Sequence, residues 1–235
     1  MLIFDWCYIS SVMRKIILCL LIYIIPLSSA DIISVSEGGS NYAGKLPFYG
    51  LYNYSQTGII ISDTLLSEVQ NKNITGLEFE FTNWSSGYSI NNQNIKLGYT
   101  EEDFFIGAIG PDYSQINASN LITTKSDFDL IINNGWMTIN FDTHFSYTDT
   151  TKNLLISWEN YDGSWAPGSG GLLGGTTFGI SQHWFEDHFY PDALSMNKGY
   201  LPNMRLHVSP IPEPTTIFLL SSCSIGLIFL RKKYH

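Results

Sequence analysis

Two carboxylates in the stretch ENYDGSWAPGSGG, Glu159 and Asp162, are the pair in this 235-residue chain whose types and spacing could do chemistry. Such a pair can act as acid and base in glycoside cleavage when the groups stand roughly 5 to 10 Å apart, a separation that spacing alone does not fix. The same side chains, with backbone carbonyls, could cage calcium, which favours flexible oxygen ligands, although the segment lacks an EF-hand pattern. A second cluster, His183, Glu186, Asp187 and His188 in HWFEDH, has metal-ligating types. Its spacing matches neither HExxH nor HxxEH, so no helix could present two histidines and a glutamate as those zinc motifs do. It reads as an exposed loop anchored by aromatics. The Gly-rich APGSGGLLGGTTFG lacks the Gly-Lys-Ser/Thr of a phosphate loop and is expected to be a flexible loop.

Tryptophan offers a different chemistry, because an apolar ring face can stack on the C–H face of a sugar. Trp136 and Trp158 sit in strand patterns and are expected in the core. Trp165 and Trp184 are expected in polar loops and are the candidate ligand-binding residues, with buried loop anchors as the competing role.

The elements that must position these residues are strands. LEFEF from Leu77 to Phe81 alternates, placing Leu77, Phe79 and Phe81 on one face and both glutamates on the other. Similar runs are IKLGY from Ile95, FDLII from Phe128, WMTINF from Trp136, NLLISW from Asn153 and MRLHV from Met204. GIIIS from Gly58 is continuously apolar, as in a strand buried on both faces. Asn133-Asn134-Gly135 is a tight-turn signal and predicts a hairpin. A short helix is expected around Asp63 to Val69. The sum is all-β: a single β-sandwich, jelly-roll-like, over residues 31–208.

The chain's first residues predict export of this domain, and its cysteine usage agrees with that. From Asp31 to Pro210 there are seven Lys and Arg against nineteen Asp and Glu, a difference of −12. An acidic surface repels phosphate backbones, so nucleic acid is not an expected partner. Residues 1–30 read as a signal peptide: Arg14 and Lys15, an apolar run from Ile16 to Ile25, Pro26, then Ser28 and Ala30 at the −3 and −1 positions. Cleavage is expected between Ala30 and Asp31, with translation starting at Met13. Cys7, Cys19 and Cys223 all fall outside residues 31–208, so that domain has no disulfide, thiol nucleophile or Cys-based zinc site.

The tail explains the other end. Residues 209–214 are Pro-rich and extended, because proline cannot join a strand ladder and biases its predecessor away from helix. Thr215 to Leu230 would span about 24 Å as a helix against about 30 Å of hydrocarbon, a short transmembrane segment. Arg231, Lys232 and Lys233 in the 231–235 tail place that end in the cytoplasm. Pro212-Glu213-Pro214, the apolar run and the basic end together resemble the PEP-CTERM sorting signal of bacterial surface proteins. That resemblance implies an exosortase-type processing enzyme as partner and a host that makes exopolysaccharide. It covers only about the last 25 residues; Ser221, Ser222, Cys223 and Ser224 within the helix, and Tyr234 and His235 after the basic cluster, depart from the pattern. The succession from Asn41 to Trp158 is also similar to β-sandwich modules of adhesin-like secreted proteins, which implies an attachment domain without a catalytic site.

Two functions from different classes follow. One is a non-enzymatic cell-surface or matrix protein, without cofactor unless calcium binds, anchored in the membrane until processed and associated with extracellular polysaccharide or adhesion. The alternatives are a secreted carbohydrate-active hydrolase using Glu159 and Asp162, and a plain tail-anchored envelope protein.

Overall fold

Side-chain alternation sorts each strand into an inner and an outer face, and the inner faces define the fold. The computed structural model describes residues 30–42, 53–82, 88–105, 118–164, 171–187 and 196–212. The segment before Ala30, Trp165, His188, Glu213, Pro214, the apolar run 215–230 and Arg231, Lys232 and Lys233 lie outside the described residues. In chain order the strands are β1 (Asp31–Ser36), β2 (Asn41–Tyr42), β3 (Tyr54–Ile61), β4 (Lys72–Thr82), β5 (Tyr88–Thr100), β6 (Ser119–Ile132), β7 (Gly135–Tyr147), β8 (Asn153–Asn160), β9 (Gly171–Glu186), β10 (Met196–Pro202) and β11 (Met204–Pro210). Among the described residues no helix is long and apolar enough to cross a membrane.

All pairings are antiparallel and form two sheets. The first has the order β1-β11-β4-β7. The second has the order β10-β9-β3-β8-β5-β6, with β2 adding two residues against β9. Residues from both sheets meet in one core: Leu77, Phe79, Ile139, Phe141, Leu206 and Val208 from the first, Ile59, Ile61, Leu97, Leu154, Ile156 and Trp158 from the second. Each such side chain contributes about 1.5–3 kcal/mol by leaving water. The strands from Ala30 to Pro210 make one compact unit, two antiparallel sheets packed as in a β-sandwich.

Several buried polar groups find their partners within the core. Trp158 donates its indole N–H to Gln93 Oε1 at 2.7 Å, and Gln93 Nε2 donates to Asn160 Oδ1 at 2.5 Å. Phe79 and Phe128 flank the same indole at 6.0 and 5.7 Å between ring centroids. Tyr147 donates to the Lys152 carbonyl at 2.5 Å; burial, with Asp63, Tyr99 and Asp149 nearby, pushes its phenol up to about 12.

Three local expectations are corrected. The strands flanking Asn133-Asn134-Gly135 do not pair with each other: among the described residues β6 bonds to β5, and β7 to β4. The turn instead carries the chain from one sheet to the other, with Gly135 at φ 100°, a conformation glycine adopts without a Cβ penalty. Lys125 of β6 reaches Asp142 of β7 at 2.6 Å across that edge. The helix expected around Asp63 to Val69 is a single 3-10 turn, Asp63–Leu66, capped by Ser62. It ends early because Asn71 takes a left-handed φ of 56° and bonds to the Tyr147 carbonyl, turning the chain into β4.

The Gly-rich stretch, expected to be a flexible loop, is strand in its second half. β9 starts paired with the end of β4, Phe81 opposite Leu172, and then passes to the second sheet, where Thr57 lies opposite His183. Glycines suit such a crossing because they allow close backbone approach. At Gly39 a Cβ would lie 2.1 Å from the Gly174 carbonyl oxygen, so side chains are barred where β9 changes sheet.

Candidate functional site

Glu159 is the penultimate residue of β8 and belongs to the strand's outer face, opposite in parity to Trp158. It is 5% exposed and receives the Lys96 ammonium of neighbouring β5 at 2.6 Å. The surrounding outer face is polar yet buried: Gln56 of β3, Ser157 of β8 and Gln182 of β9 are each at most 1% exposed. Register arranges these positions in rows. Gln182, Gly58, Ser157 and Lys96 form one, and Trp184, Gln56, Glu159 and Asn94 form the next. Position 184 therefore stands two strands from Glu159, about 10 Å at the usual inter-strand spacing.

This brings together two positions chosen independently from sequence. It also corrects the placement of HWFED, which was expected in a loop: His183, Trp184, Phe185 and Glu186 lie within β9, paired to β3. Aromatic and charged residues masked the alternation there, because the two flanking strands supply the contacts that a sequence pattern does not contain.

Asp162 has different partners from Glu159. Its Oδ1 accepts from the backbone and side-chain nitrogens of Asn91, both at 3.3 Å, and its Oδ2 accepts from Ser164 at 2.5 Å. Asp162 thus staples the loop after β8 to the start of β5. A cation recruited by Glu159 would have to compete with Lys96. Among the described residues no group of three or more His, Cys, Asp or Glu side chains is placed to hold a metal ion.

The outer face of the first sheet holds a cluster absent from the sequence-based candidates. Thr138, Glu78, Arg205 and Ser34 form one transverse row across β7, β4, β11 and β1. Glu78, 7% exposed, accepts from Thr138 Oγ1 at 2.8 Å and Arg205 Nη1 at 3.3 Å, and His207 Nε2 lies 3.1 Å away. Burial opposes its charge, yet Thr138, His207 and Arg205 together hold its carboxyl below the usual carboxylate value. Arg205 also pairs with the exposed Glu37, whose carboxyl it lowers, and its guanidinium carbon sits 3.9 Å from the Trp136 ring centroid.

Trp136 is therefore not a core residue, contrary to expectation; Trp158 is. The signal was present in WMTINF: with Met137, Ile139 and Phe141 inward, Trp136 and Thr138 must face outward. MRLHV likewise turns Arg205 and His207 outward. What alternation could not supply was the strand order that makes these residues neighbours. No protein-family model and no curated protein matches the chain.

Proposed function

We propose that this chain is an exported cell-surface or extracellular-matrix protein, sorted through its PEP tail, whose jelly-roll-like β-sandwich associates with extracellular polysaccharide or mediates adhesion without being an enzyme. The observation that carries the reading is the tail itself, Pro212-Glu213-Pro214 followed by an apolar run and Arg231, Lys232 and Lys233. Those parts in that order suit recognition by a processing enzyme in the membrane.

The fold supports this in two ways. Asp31, the first residue after the expected signal cleavage, begins β1 opposite Val208, and β11 leaves the sheet at Pro210. The first and last strands of the domain thus begin and end side by side at one end of the first sheet, with Ala30 and Pro212 exposed, an arrangement that suits processing at both termini. Glu159, Asp162, Trp136 and Arg205 lie toward the opposite end, where a surface ligand would be met. The order β1-β11-β4-β7 facing β3-β8-β5-β6 is that of two interlocked Greek keys, which supports the jelly roll, with β9 and β10 extending the second sheet.

The hydrolase alternative gains nothing from the carboxylates, since Glu159 and Asp162 engage separate partners. The test is retention of the protein on exopolysaccharide from its own host, with reducing sugar assayed alongside. Retention without sugar release is expected. Sugar release abolished by Glu159→Gln would replace this reading with the hydrolase.

A further inference from the structure

We propose that the outer face of the β1-β11-β4-β7 sheet is the glycan site, and that its ligand is a cationic amino-sugar polymer; this rests on the polysaccharide-associated reading above. Trp136 supplies the apolar surface, half-buried at the far end of the sheet from Asp31 and Pro210. Arg205 lies against that indole and is itself clamped between Glu37 and Glu78. Glu78 is a positioning residue: buried and surrounded by Thr138, His207 and Arg205, it fixes the guanidinium that fixes the ring. A platform ordered before binding loses little conformational freedom when a ligand arrives.

Charge selects the ligand class. Glu37 and Glu78 pair with the single guanidinium, and Glu80, bonded to Asn203, stands opposite Trp136 on the neighbouring strand, so this part of the face stays negative even with His207 protonated. The whole stretch from Asp31 to Pro210 carries nineteen acidic against seven basic residues. A uronic acid polymer is repelled by both the patch and the domain. A glucosamine polymer is complementary: its ring C–H faces stack on an indole, and its ammonium groups are drawn to the exposed Glu37 carboxylate and the partly exposed Glu80.

The experiment measures binding of the full chain in neutral detergent to a glucosamine oligomer, an N-acetylglucosamine oligomer and an oligogalacturonate at low ionic strength. The glucosamine oligomer is expected to bind most tightly, with the preference shrinking as salt is added. Trp136→Ala should weaken it by about tenfold or more, and Glu37→Gln should weaken it with only a small fall in melting temperature, because an exposed ion pair contributes little to stability. Equal affinity for all three oligomers, preference for the galacturonate, or full binding by a folded Trp136→Ala protein would each overturn the proposal. The parent reading fails separately: retention on host exopolysaccharide that survives Trp136→Ala sinks only this site, whereas no retention of the unaltered protein sinks the polysaccharide reading itself.

Discussion

Asn203 is the only residue between β10 and β11, so the chain changes sheets across it, and replacing it by leucine tests that junction. The side chain is fully buried. Its Nδ2 donates to the Gly39 carbonyl at 2.9 Å and to Glu80 Oε2 at 2.7 Å, and its Oδ1 accepts from Gly39 N at 3.2 Å. Neutral hydrogen bonds are worth about 1 kcal/mol each and one to a carboxylate about 1.5–3 kcal/mol. Gly39 and Glu80 are only partly buried and regain water, so Asn203→Leu should cost about 2–4 kcal/mol. With a urea dependence near 2 kcal/mol/M, the unfolding midpoint followed by tryptophan fluorescence should fall by about 1–2 M. Asn203→Asp should be worse near neutral pH than in acid, because it sets a second carboxylate against Glu80. A leucine variant within about 0.5 kcal/mol of the parent would refute the claim that this side chain holds the crossing.

Trp158→Phe keeps an aromatic in the core but strands Gln93 Oε1; a loss of about 1–3 kcal/mol in the same urea assay is expected. Lys96→Met leaves the nearly buried Glu159 without its ammonium and should destabilise by about 1–3 kcal/mol, reduced from the fully buried case because Lys96 is 30% exposed. Adding Glu159→Gln to it should recover part of that loss, and no recovery would mean the pair contributes only through packing. Glu78 titrates below its unfolded value, so its contribution is present above about pH 4.5 and is lost as pH falls through its lower folded value. The acid limb of a stability–pH curve should therefore be shallower in Glu78→Gln, and an unchanged limb would rule out this linkage.

Strand identity was legible in the sequence wherever one face was apolar. LEFEF, WMTINF, NLLISW and MRLHV all lie within strands, since period-two alternation directly reports a face against the core. Pairing was not legible. Asn133-Asn134-Gly135 announces a reversal, but a turn between paired strands and a turn between stacked sheets make the same local demand on the backbone. The outer cluster was half legible: parity alone turns Glu78, Trp136, Arg205 and His207 outward. Their convergence depends on β11 lying beside β4, about 130 residues away in sequence, a long-range pairing that no local pattern encodes. The loop placement of Trp184 failed for the complementary reason, since its strand is defined by β3 and β10 on either side rather than by its own alternation.

The central claim is that the chain is processed at both ends and delivered to the surface, and intact mass with terminal peptide mapping tests it most directly. The protein would be recovered from membrane and surface fractions of its own host. A surface form that begins at Asp31 and lacks everything beyond the PEP segment is expected. A chain found only in the membrane fraction, with its RKKYH end intact, would contradict it and leave a plain tail-anchored envelope protein.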